Sequence, residues 1–299
     1  MDDRRKLIVV AGPTAVGKTR VAIALAQHLG THVVSADARQ FFREMVIGTA
    51  KPSADELQAV PHHFIDSHSI TQSYDAAAYG DEALARIQGL FLTHSHVVLC
   101  GGSGLYIKAV LEGFDDIPEV DPGIRQGLQA EFEGGGLEVL QNRMRQLDPG
   151  YFQRIDTRNP QRLMRALEVV IGTGQSITSF QQRNRRTHEF DIVKIGLELP
   201  RAELYERIDR RMDVMIEEGL FEEAATLYPF RQHNALQTVG YQEIFDFMEG
   251  KYDRAEAIRL LKQHSRQYAK RQLTWFKRDP DMIWLHPGNI SDIIDVASR

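Results

Sequence analysis

Hydrophobic and polar positions along the chain alternate between two periods. Lys6 to Ala11 is a short run of continuous apolar character, the pattern of a strand covered on both faces in a parallel sheet. Thr19 to Leu29 then places Val21, Ile23, Ala24, Leu25 and Leu29 at helical spacing, and Gly30 ends that helix. His32 to Ser35 predicts a second strand, a long polar stretch with Pro52 and Pro61 follows, and a helix runs from about Ala76 to Leu92. Val97 to Cys100 predicts a third strand, closed by Gly101 and Gly102. This alternation implies an α/β fold with a doubly wound parallel sheet.

The rhythm breaks between Asp121 and about Glu189. The segment opens on Pro118 and Pro122, contains Gly134, Gly135 and Gly136, and shows helical periodicity without a convincing strand. It predicts an inserted all-helical domain. Strand character returns at Asp191 to Leu197, and Arg201 to Gly219, Tyr241 to Met248 and Arg254 to Phe276 predict helices. The expected division is therefore a core in residues 1–120, an insertion in 121–189, and the rest of the core, with a basic C-terminal helix, in 190–299. No internal repeat or low-complexity tract is present.

Composition narrows the classes. The chain has 299 residues, 42% of them hydrophobic, but no apolar run of the roughly 18 residues needed to span a bilayer. With no cleavable leader pattern at its start, a cytoplasmic protein without membrane association, and a monomer, is expected. Cys100 is the only cysteine, so an intrachain disulfide and a multi-cysteine zinc site are excluded. The formal net charge of −5 argues against a uniformly basic nucleic-acid coat. The charge is uneven, however. Arg154, Arg158, Arg162, Arg165, Arg183, Arg185 and Arg186 face only Asp156 and Glu168 within 154–186. Arg254, Arg259, Lys262, Arg266, Lys270, Arg271, Lys277 and Arg278 face only Glu256 within 254–278. Either run reads as a solvated helix face or as an anion-binding face.

Three loops carry candidate chemistry. Gly12, Pro13, Thr14, Ala15, Val16, Gly17, Lys18 and Thr19 match GxxxxGK[ST] in full, between an apolar strand and an amphipathic helix. Such a P-loop offers successive backbone N–H groups and a helix N-terminus to phosphate, with Lys18 as a point charge and the Thr19 hydroxyl available to Mg²⁺. The second strand ends in SADARQ, which puts Asp37 at the carboxyl edge of the sheet, as an indirect metal ligand, a proton acceptor, or simply a turn aspartate. The third strand ends in CGGSGLY, so Ser103 presents a ligand-facing hydroxyl or caps a helix. His62 and His63 lack metal-site spacing and read as structural. Trp275 and Phe276 beside basic residues are compatible with RNA contact or with a helix core.

Taken together, GPTAVGKT at 12–19, SADARQ at 35–40, IGTAKP at 47–52, HHFID at 62–66 and GGSGLYIKAVLEG at 101–113 resemble the tRNA dimethylallyltransferase family of bacterial type. QRLMRALEV at 161–169, RIDRRMDVMIEEGL at 207–220, TVGYQE at 238–243 and KRQLTWFKR at 270–278 extend the resemblance in order along nearly the whole chain. The resemblance implies a transferase that moves the five-carbon group of dimethylallyl diphosphate to the exocyclic amine of the adenosine immediately 3′ of the anticodon, with Mg²⁺ as cofactor. It implies Asp37 as proton acceptor, Ser103 as a hydroxyl at the catalytic mouth, and Arg211 near the diphosphate. It also implies tRNA contacts, to the anticodon stem-loop, at Asp37, Ala38, Arg39, Gln40, Ser103, Arg125, Gln161, Arg162, Leu163, Met164 and Arg165. Two positions depart from the family pattern: Ala38 stands where Ser is frequent, and Ser103 where Thr is usual. The rival readings are transfer to a free adenine nucleotide, a small-metabolite kinase using the same loop for ATP, and a non-catalytic RNA-binding protein, the last of which leaves Lys18, Thr19 and Asp37 without a purpose.

Overall fold

The structure, a computed structural model, describes residues 5–181 and 186–299. It divides into two compact units, Met1–Gly113 with Thr187–Arg299, and Phe114–Arg186. Arg183 and Arg185 of the first basic run lie outside the described residues.

In the first unit, β1 (Lys6–Ala11) leads into α1 (Lys18–Leu29), β2 (Val33–Ser35), α2 (Ala54–Ala59), β3 (His62–His63), α3 (Ala76–Leu90), β4 (His96–Gly101) and α4 (Gly104–Leu111). The second unit holds α5 (Pro122–Leu147), α6 (Pro149–Phe152) and α7 (Pro160–Thr173). The first unit resumes with β5 (Asp191–Leu197), α8 (Arg201–Glu217), α9 (Leu220–Leu227), α10 (Gln242–Met248), α11 (Arg254–Phe276), β6 (Ile283–Leu285) and α12 (Ile290–Ser298).

The six strands pair in the order β3-β2-β4-β1-β5-β6, all parallel. The chain moves outward from β1 in one direction and returns to β5 on its other side, so strand order reverses at β1 and opens a crevice at its carboxyl end. β1 is buried along its whole length, which explains its unbroken apolar run. Its side chains still alternate. Ile8 and Val10 pack with α1, α8 and α12, whereas Leu7 and Val9 pack with α3 and α4. A further core joins Phe41, Phe42 and Met45 to Met212 and Met215 of α8, Leu220 and Phe221 of α9, Phe245 of α10 and Leu261 of α11.

In the second unit, α5 and α7 close their own core on Leu128, Leu140, Met144, Leu163, Met164 and Leu167. Each helix has a side-chain cap, Asp121 for α5 and Asn159 for α7, followed by Pro at the first helical position. Gly136, at φ 69°, interrupts α5 where the triple glycine stands.

Two short elements sit inside the polar stretch that the sequence left without structure. α2 buries no residue and is held by a capping box, in which Ser53 and Glu56 satisfy each other's backbone amides. β3 is a two-residue edge strand formed by His62 and His63. Neither has enough apolar content to announce itself through periodicity. Among the described residues no helix is long and apolar enough to cross a membrane.

The edge strand makes a testable link to pH. His63 Nε2 lies 3.0 Å from His32 Nδ1, a hydrogen bond that needs at least one neutral ring. Burial, with Arg86 as a secondary cause, pushes His63 down from 6.5 to about 4. The unfolded chain therefore binds the proton more tightly than the folded one, so this stabilisation is present above pH 6.5 and is lost as pH falls towards 4. His63→Gln is expected to flatten the loss of urea-unfolding free energy between pH 6.5 and 4; an unchanged slope would place that acid sensitivity elsewhere.

Candidate active site

The site is assembled where β1, β2 and β4 end. After β1 the chain turns through Ala15 (φ 63°) and Gly17 (φ 104°), two left-handed residues that allow successive loop amides to converge ahead of α1. Gly12 cannot carry a side chain, because a Cβ there would sit 2.8 Å from the Leu197 carbonyl oxygen of β5. Lys18 folds back, and its Nζ donates to the Pro13 carbonyl at 2.8 Å. The ammonium is enclosed, and burial depresses it to about 8, opposed by the nearby Cys100 and Asp37 and assisted by Arg211. Burial likewise pushes the Cys100 thiol up to about 12, which keeps it protonated and inert.

The loop joins a cavity of about 590 Å³. Its lining includes Lys18, Thr19, Asp37, Arg39 and Arg211, and also the apolar side chains of Met212, Met215, Leu220 and Val239. Arg211 projects from α8 and has no hydrogen-bond or ion-pair partner among the described residues. Burial lowers its pKa, and Asp37 opposes the shift. A desolvated guanidinium without a partner is a receptor for an anion. Among the described residues no group of three or more His, Cys, Asp or Glu could hold a metal ion. Thr19 nevertheless offers a hydroxyl without a hydrogen-bond partner among the described residues, as a hard cation shared with phosphate oxygens requires.

Asp37 forms a turn and keeps one carboxylate oxygen for other use. Its Oδ1 accepts the amides of Arg39 at 2.9 Å and Gln40 at 3.3 Å, an Asx-type turn, while the other carboxylate oxygen has no partner among the described residues. Ser103 occupies the N-cap position of α4 but makes no capping bond. Its hydroxyl, expected to face a ligand, accepts the Ala38 amide at 2.9 Å, and Ser103 is not part of the cavity lining. The hydroxyl therefore secures the turn that presents Asp37.

Its neighbours are similarly committed. Gln40 accepts from Ser35 and donates to the carbonyls of Thr49 and Ala50, holding the 46–52 loop against the cavity. Arg39 donates to the carbonyls of Ala38 and Asn234, leaving Nε buried without a partner.

Sequence patterning missed two further supports. Glu223 of α9 accepts the consecutive amides of Val46, Ile47 and Gly48 at 2.9, 2.8 and 3.0 Å, together with the Tyr241 hydroxyl at 2.6 Å. Gln272 of α11 bonds the Thr14 amide and the Gly102 carbonyl. Both stand in helices whose polar residues resemble any solvated face in sequence. The matched blocks TVGYQE and KRQLTWFKR pointed to the neighbourhood without a reason.

In the second unit, Gln161, Arg162 and Arg165 are exposed on α7, whereas Leu163 and Met164 are buried in its core and cannot present side chains to a partner. Glu168, 3% exposed, joins Arg125 at 2.6 Å and Arg165 at 3.3 Å, and Arg125 also donates to Gln161 at 3.0 Å. Half of the second basic run is neutralised. Lys262 pairs with Asp213, Arg266 with Asp209, Arg259 with Glu256 and Lys277 with Glu198. Phe276 is buried, and Trp275 packs on Gly104, leaving no room for a Cβ there.

Comparison with known proteins agrees with this geometry. The family model described as IPP transferase matches residues 40–279. This chain belongs to the IPP transferase family. It is 51% identical to the tRNA dimethylallyltransferase of Cytophaga hutchinsonii over 287 residues, covering 96% of this chain and 94% of that one. It is 47% identical to the tRNA dimethylallyltransferase of Christiangramia forsetii over 293 residues, 97% of each chain. The crystal structure of the full-length tRNA isopentenylpyrophosphate transferase from Bacillus halodurans superposes with a TM-score of 0.73 at 37% identity, covering 99% of this chain and 96% of that one. The P-loop and Asp37 precede the segment matched by the IPP transferase model, but all three of the other comparisons extend beyond it.

The depressed ammonium predicts how an anion binds. Lys18 is charged below about pH 8 and progressively neutral above it in the ligand-free protein. The folded state holds this proton less tightly than the unfolded chain, so the cost of burying the charge is relieved between about pH 8 and 10.5. Inorganic diphosphate should favour the charged form, so its affinity is expected to fall as pH rises above 8, and Lys18→Met should flatten that fall. Calorimetric titration across pH checks this; parallel pH profiles for the two proteins would contradict it.

Proposed function

We propose that this protein transfers the dimethylallyl group of dimethylallyl diphosphate to the exocyclic amine of the adenosine immediately 3′ of the anticodon in tRNA, releasing diphosphate. The single observation that carries the reading is the meeting, in one cavity of an IPP transferase family member, of two groups without a hydrogen-bond partner among the described residues, the Arg211 guanidinium and the second Asp37 oxygen, beside the half-buried Lys18.

The donor's diphosphate lies on the amides of residues 12–19 with Lys18 and Arg211, while its five-carbon chain lies against the apolar side chains of Met212, Met215, Leu220 and Val239. The Thr19 hydroxyl, together with phosphate oxygens of the donor, would hold a Mg²⁺ ion, which would supply further neutralisation of the leaving group. The amine nitrogen forms the new C–N bond as the donor's C–O bond breaks, and the electron pair of that bond leaves with diphosphate. Because the charge on the leaving oxygens grows during this step, Lys18 and Arg211 stabilise the transition state more than the bound donor. The amine proton becomes acidic as the bond forms and passes to the free oxygen of Asp37. Ser103 contributes by fixing the Ala38 amide.

The adenosine must leave its stack to enter the cavity, at an expense of about a few kcal/mol that contacts elsewhere on tRNA offset. Arg125, Gln161, Arg162 and Arg165 of the helical unit supply such contacts to the anticodon stem-loop, with Leu163 and Met164 supporting the helix from within. No comparable need exists for a free nucleotide.

The direct test is mass spectrometry of tRNA nucleosides after incubation with protein, Mg²⁺ and dimethylallyl diphosphate, where a dimethylallyl mass increment on adenosine is expected. Asp37→Ala should retain donor binding and lose about 10² to 10⁴-fold in transfer rate; a rate within about threefold of wild type would deny the carboxylate its role as base. Arg162 and Arg165 lie one turn apart on α7. Replacing both with Ala should weaken tRNA binding and reduce the salt slope of log affinity by about 0.7 to 0.9 per lost phosphate contact, without altering donor affinity. Unchanged affinity and slope would make the pair an ordinary solvated face.

A further inference from the structure

Gln272 is a polar side chain in a buried place, 7% exposed near the end of α11. Both ends of its amide are committed to backbone of two different loops. Oε1 accepts the Thr14 amide at 2.8 Å, and Nε2 donates to the Gly102 carbonyl at 2.9 Å. These partners determine the amide orientation, because a flipped group would set N–H against N–H and oxygen against oxygen. The junction is close-packed. A Cβ on Gly102 would collide with Nε2 of Gln272 and come within 3.4 Å of the Gly12 carbonyl and of Lys18 Nζ.

From this junction the path to the proton acceptor is short. Gly102 is followed by Ser103, whose hydroxyl holds the Ala38 amide, next to Asp37. Gln272 thus stands between the loop that receives the leaving group and the loop that secures the carboxylate. We propose that Gln272 is a positioning residue for the transfer step: it sets the separation between the P-loop and the Gly102–Ser103 loop, and so aligns the departing diphosphate with Asp37. This rests on the reading that Asp37 takes the acceptor's proton. Gln272 also borders the cavity, but both polar ends of its amide are taken up by the Thr14 amide and the Gly102 carbonyl. Its effect belongs to alignment, where misplacement of about 1 Å can cost on the order of 100-fold in rate.

The test is a kinetic cycle on the full chain with tRNA, Mg²⁺ and dimethylallyl diphosphate, comparing wild type, Gln272→Met, Asp37→Ala and the double variant. Methionine preserves length and volume while removing both hydrogen bonds. Gln272→Met is expected to lower kcat by about 10- to 100-fold, with KM for donor and tRNA and the affinity for inorganic diphosphate within about threefold of wild type. In the Asp37→Ala background its effect should shrink to less than about threefold, because the group it aligns is gone. A kcat within about threefold of wild type, an equal loss in both backgrounds, or a rise in KM with kcat unchanged would overturn the proposal. If circular dichroism shows Gln272→Met unfolded, Gln272→Glu, which keeps an acceptor for Thr14 and loses the donor to Gly102, takes its place in the cycle with the same criteria. A wild-type protein that modifies no tRNA would overturn the parent reading and this proposal with it; an active wild type with an unimpaired Gln272 variant overturns this proposal alone.

Discussion

The gathering of several cations around a single carboxylate in one partly enclosed cavity is the constraint around which this protein is organised. Lys18 is enclosed at the end of β1 with a backbone carbonyl as its hydrogen-bond partner, and Arg211 enters the same cavity from α8 with no protein partner among the described residues. Desolvating such charges is expensive, and the nearest acid, Asp37, divides its oxygens between a turn and the cavity. An anion is needed to complete the electrostatics. The parallel sheet makes the arrangement possible because β1 is buried on both faces, so the loop leaving it is anchored before it meets solvent.

The surrounding structure keeps that cavity open by spending polar groups on backbone. Glu223 and Tyr241 hold residues 46–48, Gln40 holds residues 49 and 50, and Gln272 holds the P-loop to Gly102. Loops cannot be rigid through apolar packing alone, since their amides and carbonyls need partners once removed from water. Helices α8 to α11 therefore serve as more than cover for the sheet. They supply the polar side chains that fix the loops, and α8 also supplies the acids that neutralise the basic face of α11.

Charge shows most clearly what linear reading cannot decide. The two basic runs look alike as strings of Arg and Lys. In the fold, most of the α11 run finds carboxylates or aromatic faces, including Arg254 over Phe221. Arg162 remains exposed on α7, and Arg125 and Arg165 share the buried Glu168 while keeping about half of their side-chain surface. The difference comes from neighbours distant in sequence.

By itself the sequence determined what depends on local periodicity and on contiguous motif chemistry. The apolar run of β1, the helical spacing of α1, α3 and α11, the glycine geometry of residues 12–19 and the strandless character of the stretch after Pro122 all follow from interactions within a few residues. Ordered motif blocks also announced the family. The tertiary structure decided the rest: the β3 and β6 edges, the turn of Asp37 with one oxygen free, the Ser103 hydroxyl on Ala38, the burial of Leu163 and Met164, and the roles of Glu223 and Gln272. Each of these joins residues from separate elements, and a side chain's partner across 170 or 258 positions leaves no periodic trace in the chain.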